Sequence, residues 1–455
     1  MRARARTLAF AALTAAGALL LAGCSGAAEA QSSAAPAAGS LPTLSPDEQV
    51  DISFESYNLA QAGLWTDAIN SLIAEFEKQH PNIHVEGRPA DISSGGTTSG
   101  VQKELLAGDP PDVAQIVFNE LPYAVTQLQA ANLSQLVGQE GLDEAFGGQY
   151  PFNKNARVLA DLDGSTYGLP YVFSTPVLWV NESLLQQAGI DPATVDLSTW
   201  DKVAEASKKV SAVTGSPALS VTCVVTGGNW CMQSLFKSNG AQVLSDDRST
   251  IEFGSDAAVD TVQSFTELYK QGVLANEDTQ TQVANFSSGK EAFHVNTSVY
   301  QSTFINAAKN GGWTLNAHGL PAFGSKPVVP VNSGSALMMF SQDPKKQAAA
   351  WELMKFFTSP TAYETITTKI GYLPLRDTMT APGGPLADWL AANPLAKPNL
   401  EQLQTLSPWV AYPGNSFLQV DQVLYAAIED SIFNGKDPKA TLQSAASRAQ
   451  ELIQQ

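Results

Sequence analysis

The sequence predicts an α/β fold, because strand patterns and helix patterns alternate along the chain. Val50, Ile52 and Phe54 alternate with polar residues, as in a strand that buries one face. From Leu64 to Phe76, apolar residues recur every three or four positions, which is the spacing of an amphipathic helix. Such alternation is typical of helices packed on a sheet.

The next elements follow from the same patterns. The first helix must end before Pro81, and residues 83–85 predict a second strand. Val101–Leu106 predicts a helix, residues 108–111 (Gly-Asp-Pro-Pro) a turn, and Val113–Phe118 a buried strand. Later helices are expected to begin at residues with helix-capping chemistry. These residues are Ser198 (with Asp201 as a capping box), Ser255, Asp343-Pro344 and Asp437-Pro438.

Composition and charge exclude several classes of protein. The chain has 455 residues, 44% of them hydrophobic, which is enough to form sizeable cores in two or three domains. Its 44 acidic residues outnumber 26 basic ones, giving a formal net charge of -18. That balance argues against a nucleic-acid partner and against docking on anionic lipid by charge. Three Cys and four scattered His provide little for a metal cluster, so we expect no metal and no cofactor.

The N-terminus predicts export. Arg2, Arg4 and Arg6 precede a 15-residue apolar run that is short for a membrane span. The run ends in Leu-Ala-Gly-Cys24, which resembles the lipobox of bacterial lipoproteins and implies removal of residues 1–23 and acylation of Cys24. An ordinary secretory cleavage site is the alternative. Cleavage removes three arginines and lowers the net charge to -21. Residues 24–48, rich in Ala, Ser, Gly and Pro, predict a flexible tether.

The two other cysteines predict a local disulfide. Cys223 and Cys231 are separated by seven residues, and an exported chain meets an oxidising compartment in which disulfides persist. The alternative is a pair of free thiols buried as small apolar groups.

Catalytic motifs are missing from the sequence. We find no G-x-S-x-G, H-E-x-x-H, G-x-x-x-x-G-K-[ST] or suitably placed G-x-G-x-x-G motif. Enzymatic activity is therefore not predicted, although a secreted glycan-active enzyme stays an alternative.

Polar and aromatic residues instead cluster in the predicted loops. Aromatic faces cover the C–H faces of a polyhydroxylated ligand, while amides, hydroxyls and carboxylates bind its hydroxyl groups. Any one of these residues could equally be a packed loop aromatic or a turn residue. The candidates from these loops are Tyr57, Asn58, Asn119, Glu120, Trp230, Ser298, Gly334, Tyr372 and Tyr412.

Ordered segments along about 400 residues resemble a known family. They are residues 75–85, 107–113, 168–181, 188–191, 199–201, 286–292, 348–357 and 371–376. Together they are similar to the carbohydrate-type extracellular solute-binding proteins of ABC importers, which include maltose- and glycerol-3-phosphate-binding members. The segment at 174–181 and the region after Tyr372 look closest to the branch that binds glycerol 3-phosphate and glycerophosphodiesters.

This resemblance implies a two-lobed, periplasmic-binding-protein-like fold of type II, with a hinge and a ligand cleft. It leads us to expect residues 49–165 and about 295–340 in the first lobe, and about 166–294 and 341–455 in the second. The branch's ligand contacts fall near Asn119 or Glu120, Ser174, Trp230, Ser298, Gly334 and Tyr372.

Two positions depart from that branch. Gly227 stands where the branch has a second tryptophan, and Gly414 stands near its phosphate-contacting arginine. No Lys or Arg occurs from Pro398 to Gly435, so the sequence favours a neutral sugar over a phosphate ester.

The resemblance therefore implies a monomeric binding component of an ABC importer. It would be lipid-anchored on the outer face of the cell membrane, capture a carbohydrate or polyol by hinge closure, and deliver it to a permease. A surface glycan sensor or adhesin without transport is a further alternative.

Overall fold

The computed structural model describes Gly39 and residues 41–60, 63–91, 96–414 and 416–454. The predicted signal peptide and the predicted lipidation of Cys24 lie outside the described residues. None of the described helices combines the length and the apolar content needed to cross a bilayer.

The described strands are short and mostly buried. They are β1 (Val50–Ser56), β2 (Ile83–Pro89), β3 (Val113–Val117), β4 (Asp161–Leu162), β5 (Ser165–Thr166), β6 (Gly168–Ser174), β7 (Pro176–Asn181), β8 (Leu219–Val221), β9 (Phe293–Thr297), β10 (Leu315–His318) and β11 (Ser333–Met339).

The described helices fill the connections between these strands. They are α1 (Leu64–Gln79), α2 (Gly96–Ala107), α3 (Leu121–Gln127), α4 (Leu133–Leu136), α5 (Gly138–Phe146), α6 (Lys154–Arg157), α7 (Glu182–Gln187), α8 (Trp200–Thr214), α9 (Asn229–Ser238), α10 (Asp256–Lys270), α11 (Thr279–Ser287), α12 (Gln301–Gly311), α13 (Pro344–Phe357), α14 (Pro360–Lys369), α15 (Ala387–Ala392), α16 (Lys397–Leu403), α17 (Phe417–Ile432) and α18 (Pro438–Ile453).

Capping residues begin several helices where the sequence predicts. The Asp343 carboxylate accepts hydrogen bonds from two backbone N–H groups at the start of α13, and Asp437 accepts one at the start of α18. Ser255 is the N-cap of α10. Ser198 was the wrong choice for α8, because the hydroxyl of Thr199 accepts the capping bond from the Lys202 N–H at 3.3 Å.

Two sheets organise the chain. The first has the order β2-β1-β3-β11-β6, in which β1 runs parallel to β2 and β3, and β11 is antiparallel to β3 and β6. The second has the order β10-β7-β9-β8, with β7 antiparallel to β9 and β10 and with β8 parallel to β9. Consecutive strands β6 and β7 belong to different sheets, so the chain passes from one lobe to the other at Thr175.

This sheet order corrects the predicted division of the chain. Strand β6 belongs to the first sheet, and β9 and β10 belong to the second, opposite to the expectation for residues 166–174 and about 295–318. Helices α13 and α14 pack in the first core, opposite to the expectation for residues beyond 341. Phe357 of α13, for example, lies with its ring 5.2 Å from that of Phe54 in β1. Which sheet buries an element depends on long-range packing that a local pattern does not encode.

The end of the predicted tether is also corrected. Leu41 and Leu44 pack against the first core, and Glu48 forms an ion pair with Lys345. The described residues before β1 are therefore held on the first lobe, because the two leucines bury apolar surface there.

Buried side chains on one connecting helix hold the first crossing. The Asn399 Oδ1 atom of α16 accepts from the Thr175 N–H at 3.0 Å. Gln402 Nε2 donates to the Pro176 carbonyl at 2.9 Å, and its Oε1 accepts from the Leu320 N–H at 2.8 Å. An isolated parallel β-bridge also joins Val331 to Ser407. These bonds hold the chain where it passes from the first sheet to the second.

Candidate functional site

A pocket of about 420 Å³, here called the central pocket, lies between the two sheets. Its lining comes from the carboxyl ends of β1, β3, β6 and β9 and from the start of β11. The starts of α1, α9 and α12, the turn before α12 and the loop after α14 complete it. The lining residues are Tyr57, Trp65, Val117, Ser174, Trp230, Thr297, Val299, Tyr300, Thr303, Ser333, Gly334 and Tyr372. Five predicted ligand residues thus meet in one place: Tyr57, Ser174, Trp230, Gly334 and Tyr372.

The first lobe supplies an aromatic wall to this pocket. The rings of Trp65 and Tyr372 pack edge to face with centroids 5.4 Å apart. The Tyr57 hydroxyl donates to Ser335 Oγ at 3.2 Å. Burial raises the pKa of Tyr57 and Tyr372 above their ordinary value of 10, so both phenols stay neutral. Neutral phenols can donate to and accept from ligand hydroxyls.

The second lobe supplies the opposite wall, formed by Trp230 and Tyr300. The Tyr300 ring stacks on Phe304 with a centroid distance of 5.4 Å and an interplanar angle of 27°. Trp230 is the second residue of α9 and packs against the second core while it lines the pocket. Aromatic surface is therefore present on both sides of the space.

A disulfide positions the helix that carries Trp230. The predicted bond between Cys223 and Cys231 is confirmed, and both residues are fully buried in the second core. It joins the 3-10 turn at residues 222–224 to the first turn of α9. Within the closed loop, a Cβ on Gly228 would lie 1.9 Å from the Thr222 carbonyl oxygen, so only glycine fits.

The same end of α9 is linked to α17. Asn229 Nδ2 donates to Asp421 Oδ2 at 2.9 Å, and burial raises the pKa of that carboxyl group to about 6. The Asn229 carbonyl also accepts from the indole N–H of Trp409 at 3.2 Å. Trp230 therefore projects from a helix end that is held by a covalent bond and by hydrogen bonds.

Backbone groups reach the pocket at Gly334. This residue has φ 118°, and a Cβ there would lie 2.0 Å from the Val172 carbonyl oxygen. No side chain can occupy the position without moving β6. The hydroxyl groups of Ser174, Thr297, Thr303 and Ser333 add donors and acceptors around it.

The central pocket carries no formal charge. Among the described residues, those that line it include no Asp, Glu, Lys, Arg or His. Aromatic rings and uncharged hydrogen-bonding groups suit a neutral polyhydroxylated ligand, whereas a phosphate would lack a charged partner there.

Some predicted residues lie behind this surface. Asn58 is fully buried, and its side-chain amide has no hydrogen-bond partner in the described structure. The Ser298 hydroxyl is likewise buried and unpartnered, between pocket residues Thr297 and Val299. Glu120 accepts a hydrogen bond from Thr98 Oγ1, and burial raises the pKa of its carboxyl group. The part of these residues in binding stays a prediction.

Asn119 and Tyr412 line a different space of about 340 Å³, here called the Arg248 pocket. Gly414 lies there too, and the expectation that no cation stands near Gly414 is wrong. Arg248, which is 163 positions before Ala411, donates from Nη2 to the Ala411 carbonyl at 3.0 Å. A sequence window around Gly414 could not reveal a cation from so distant a segment.

Sequence reasoning also missed two aromatic residues of the central pocket. Trp65 lies in the first turn of α1, where the helical pattern indicates an ordinary packing residue. Tyr300 is two positions after the predicted site residue Ser298, so the same loop could have indicated it. In the described residues, we find no group of three or more His, Cys, Asp or Glu that could hold a metal ion.

Taken together, the fold and the pocket define a class. Two α/β lobes meet at an uncharged aromatic pocket, and the chain crosses between them at Thr175, next to the pocket residue Ser174. This is the architecture of a hinged binding protein, in which a small solute is enclosed between the lobes.

Comparison with known proteins identifies the family. A family model described as "Bacterial extracellular solute-binding protein" matches residues 71–398, and the chain belongs to that family. The sn-glycerol-3-phosphate-binding periplasmic protein of Brucella abortus is 23% identical over 410 residues, covering 85% of this chain and 91% of that protein. An ABC transporter extracellular-binding protein of Pyrococcus horikoshii is 29% identical over 160 residues, which is only 34% of either chain.

The fold is confirmed by similarity to solved structures. The cyclic alpha-maltosyl-1,6-maltose binding protein of Arthrobacter globiformis superposes with a TM-score of 0.76 and 17% identity. The match covers 89% of this chain and 99% of that one. The predicted two-lobed, type II periplasmic-binding-protein-like fold is therefore correct.

Proposed function

We propose that this protein is the solute-binding component of an ABC importer and that it captures a carbohydrate or related polyol in the central pocket. The observation that carries the proposal is the pocket's lining: aromatic rings from both lobes, hydroxyl groups and no formal charge. Of the similar proteins, one is named for cyclic alpha-maltosyl-1,6-maltose, a neutral carbohydrate, and another for glycerol 3-phosphate, a polyol that carries a phosphate.

Capture requires closure of the lobes. Trp65 and Tyr372 pack on the first core, and Tyr57 bonds to Ser335 of the first sheet. Trp230 packs on the second core, and Tyr300 packs with Trp179 of the second sheet. A ligand contacts both sets at once only when the lobes are together, so binding shifts the population toward the closed form. The held crossing at Thr175 provides a fixed pivot for that motion.

The closed form would deliver its solute to a membrane permease. We place the protein outside the cytoplasm as a monomer, attached to the outer face of the cell membrane through lipid on Cys24. Mass spectrometry of the mature protein from membranes tests the anchor: a diacylated N-terminal Cys24 supports it, and an unmodified N-terminus contradicts it. The described residues that line the pocket include no Asp, Glu, His or Cys that could act as an acid, base or thiol nucleophile, and we expect the solute to leave unchanged.

Binding is tested by a thermal-shift screen over neutral mono- and oligosaccharides, polyols and glycerol 3-phosphate, since a ligand that binds only the folded state raises the melting temperature. Hits are then measured by isothermal titration calorimetry with wild type and with Trp230→Ala. We expect micromolar or tighter binding of a neutral sugar or polyol, weakened by the substitution. Absence of any hit, or release of hydrolysed product from a sugar, would contradict the proposal.

A further inference from the structure

A stripe of polar side chains crosses the first sheet behind the central pocket. Ser56 ends β1, Gln115 lies in β3 and Ser335 lies in β11, and these three strands are neighbours in the sheet. All three side chains are fully buried. Side chains alternate between the two faces of a strand, so Phe54 and Leu337, two positions away, lie on the same face. Both of these belong to the first core, and the polar stripe interrupts their apolar pattern.

Hydrogen bonds link the stripe into a loop that begins and ends beside Tyr57. The backbone N–H of Asn58 donates to Ser56 Oγ at 3.1 Å, and the Ser56 hydroxyl donates to Gln115 Oε1. On its other side, Gln115 Nε2 donates to Ser335 Oγ at 2.9 Å. The same Ser335 oxygen accepts from the Tyr57 hydroxyl at 3.2 Å. The chain of bonds therefore leaves the turn after β1, crosses β3 and β11, and returns to that turn.

Of these five residues, only Tyr57 lines the central pocket. Gln115 lies behind it, so any effect of its side chain on a solute passes through the Tyr57 hydroxyl. Burial raises the pKa of Tyr57, and Gln115 is one of three residues whose hydrogen bonding opposes that rise. Because the Tyr57 hydrogen is directed at Ser335, the Tyr57 oxygen is left to accept from a solute hydroxyl group.

Stability alone does not account for the stripe. Hydrogen-bonded polar side chains on a buried face add little stability over apolar side chains of the same shape. A sheet face that served only packing would therefore continue the apolar pattern of Phe54 and Leu337. The pattern changes where β1 and β3 end and β11 begins, which is the edge of the sheet that lines the central pocket. Departures from a local rule are expected at functional sites.

We infer that Gln115 is a positioning residue for solute binding. Through Ser335 it fixes the hydroxyl group of Tyr57, and its loss weakens binding although its side chain does not touch the solute. This inference rests on the proposed function and adds one requirement for the solute, which must offer a hydroxyl group to the Tyr57 oxygen.

The test is a double-mutant cycle in the full mature protein. Titration calorimetry measures the affinity of wild type, Gln115→Leu, Tyr57→Phe and the double variant. The probe is whichever of maltose, cellobiose, trehalose, sorbitol and glycerol 3-phosphate binds wild type most tightly. Gln282→Leu is the matched control, because Gln282 of α11 is also fully buried and hydrogen-bonded but lies outside the pocket.

Gln115→Leu and Tyr57→Phe should each weaken binding by about fivefold or more, the loss expected for one hydrogen bond. The double variant should bind within about twofold of Tyr57→Phe, because no hydroxyl group is left to position. Gln282→Leu should bind as wild type does. Ser335→Ala breaks the same link by removing a smaller group, so it should repeat the loss and decides the question if Gln115→Leu does not fold.

Three results would overturn the inference. One is wild-type affinity in Gln115→Leu and Ser335→Ala. Another is a double variant in which the two single losses multiply, since Gln115 would then act independently of Tyr57. The third is an equal loss in Gln282→Leu, which would show a general effect of removing a buried amide.

A measurement without solute separates this inference from the proposed function. In protein labelled with ¹³C at tyrosine Cζ, the Tyr57 resonance is the one that Tyr57→Phe lacks. It should shift in Gln115→Leu and stay in place in Gln282→Leu. Absence of binding by every probe compound would count against the proposed function, whereas an unshifted Tyr57 resonance in Gln115→Leu would overturn the positioning role itself.

Discussion

Removal of the Cys223–Cys231 bond should destabilise the protein by a predictable amount. The two cysteines are 8 positions apart in the sequence. For a loop of that length, the chain-entropy relation predicts that the disulfide stabilises the folded state by about 2.5 kcal/mol. Replacing both by alanine avoids placing new polar groups in the second core, where both residues are fully buried. We therefore expect the free energy of unfolding of Cys223→Ala/Cys231→Ala to fall by about 2.5 kcal/mol.

The same variant should bind its solute more weakly. Without the bond, the loop that precedes Trp230 gains conformational entropy, and part of this entropy is lost again when the solute binds. The entropy loss should lower the affinity by about threefold to tenfold. Urea denaturation followed by tryptophan fluorescence measures stability, and titration calorimetry measures affinity.

The control is wild type in reductant. Its unfolding curve should move to that of the double variant, and reductant should not move the variant itself. A double variant whose free energy of unfolding stays within about 0.5 kcal/mol of oxidised wild type would refute the reasoning.

Three further perturbations probe the pocket and its support. Trp65→Ala should weaken solute binding by about 1–3 kcal/mol, measured by titration calorimetry. The control is Trp389→Ala, because Trp389 packs on the first core outside the pocket and its loss should leave the affinity unchanged. Equal losses of affinity in the two variants would show that the site lies elsewhere. Burial raises the pKa of Glu291 from its ordinary 4.5 to about 8, so the folded state keeps a proton that the unfolded chain loses. The stability that this proton contributes is complete below about pH 4.5 and is lost as pH rises toward 8. Glu291→Gln, whose side chain still accepts a hydrogen bond from Ser220, should therefore show a smaller fall in melting temperature over that pH range. A fall in melting temperature as steep as that of wild type would contradict the assignment. Arg376 donates to four backbone carbonyls, so Arg376→Gln should cost about 3 kcal/mol or more in thermal unfolding, and a loss under 1 kcal/mol would show that water replaces those bonds.

Local patterns predicted the elements well where one face is clearly apolar. The alternation at residues 50–54 lies in β1, and the three-and-four spacing lies in α1, because each pattern matches the period of its element. Asp343 and Asp437 marked helix starts because their carboxylates bond free N–H groups. The lobes were divided wrongly, since the sheet that receives β6, β9 or α13 is decided by packing across long stretches of chain.

The candidate site was predicted in part for the same reasons. Tyr57, which follows β1, and Ser174, the last residue of β6 that the family resemblance indicated, meet in the central pocket because β1 and β6 end at the same edge of the first sheet. Trp65 was not predicted as a site residue, because it lies within the regular apolar spacing of α1 and so indicates helix packing. Arg248 was invisible because its contact with Ala411 joins segments that no sequence window connects.

The central claim is that a solute between the aromatic walls draws the two lobes together. Small-angle X-ray scattering of the mature protein, without and with a saturating sugar from the thermal-shift screen, tests it most directly. We predict a smaller radius of gyration with the sugar, and a smaller decrease for Trp230→Ala at the lowest concentration that saturates wild type. An unchanged radius of gyration in wild type at proven saturation would contradict the account.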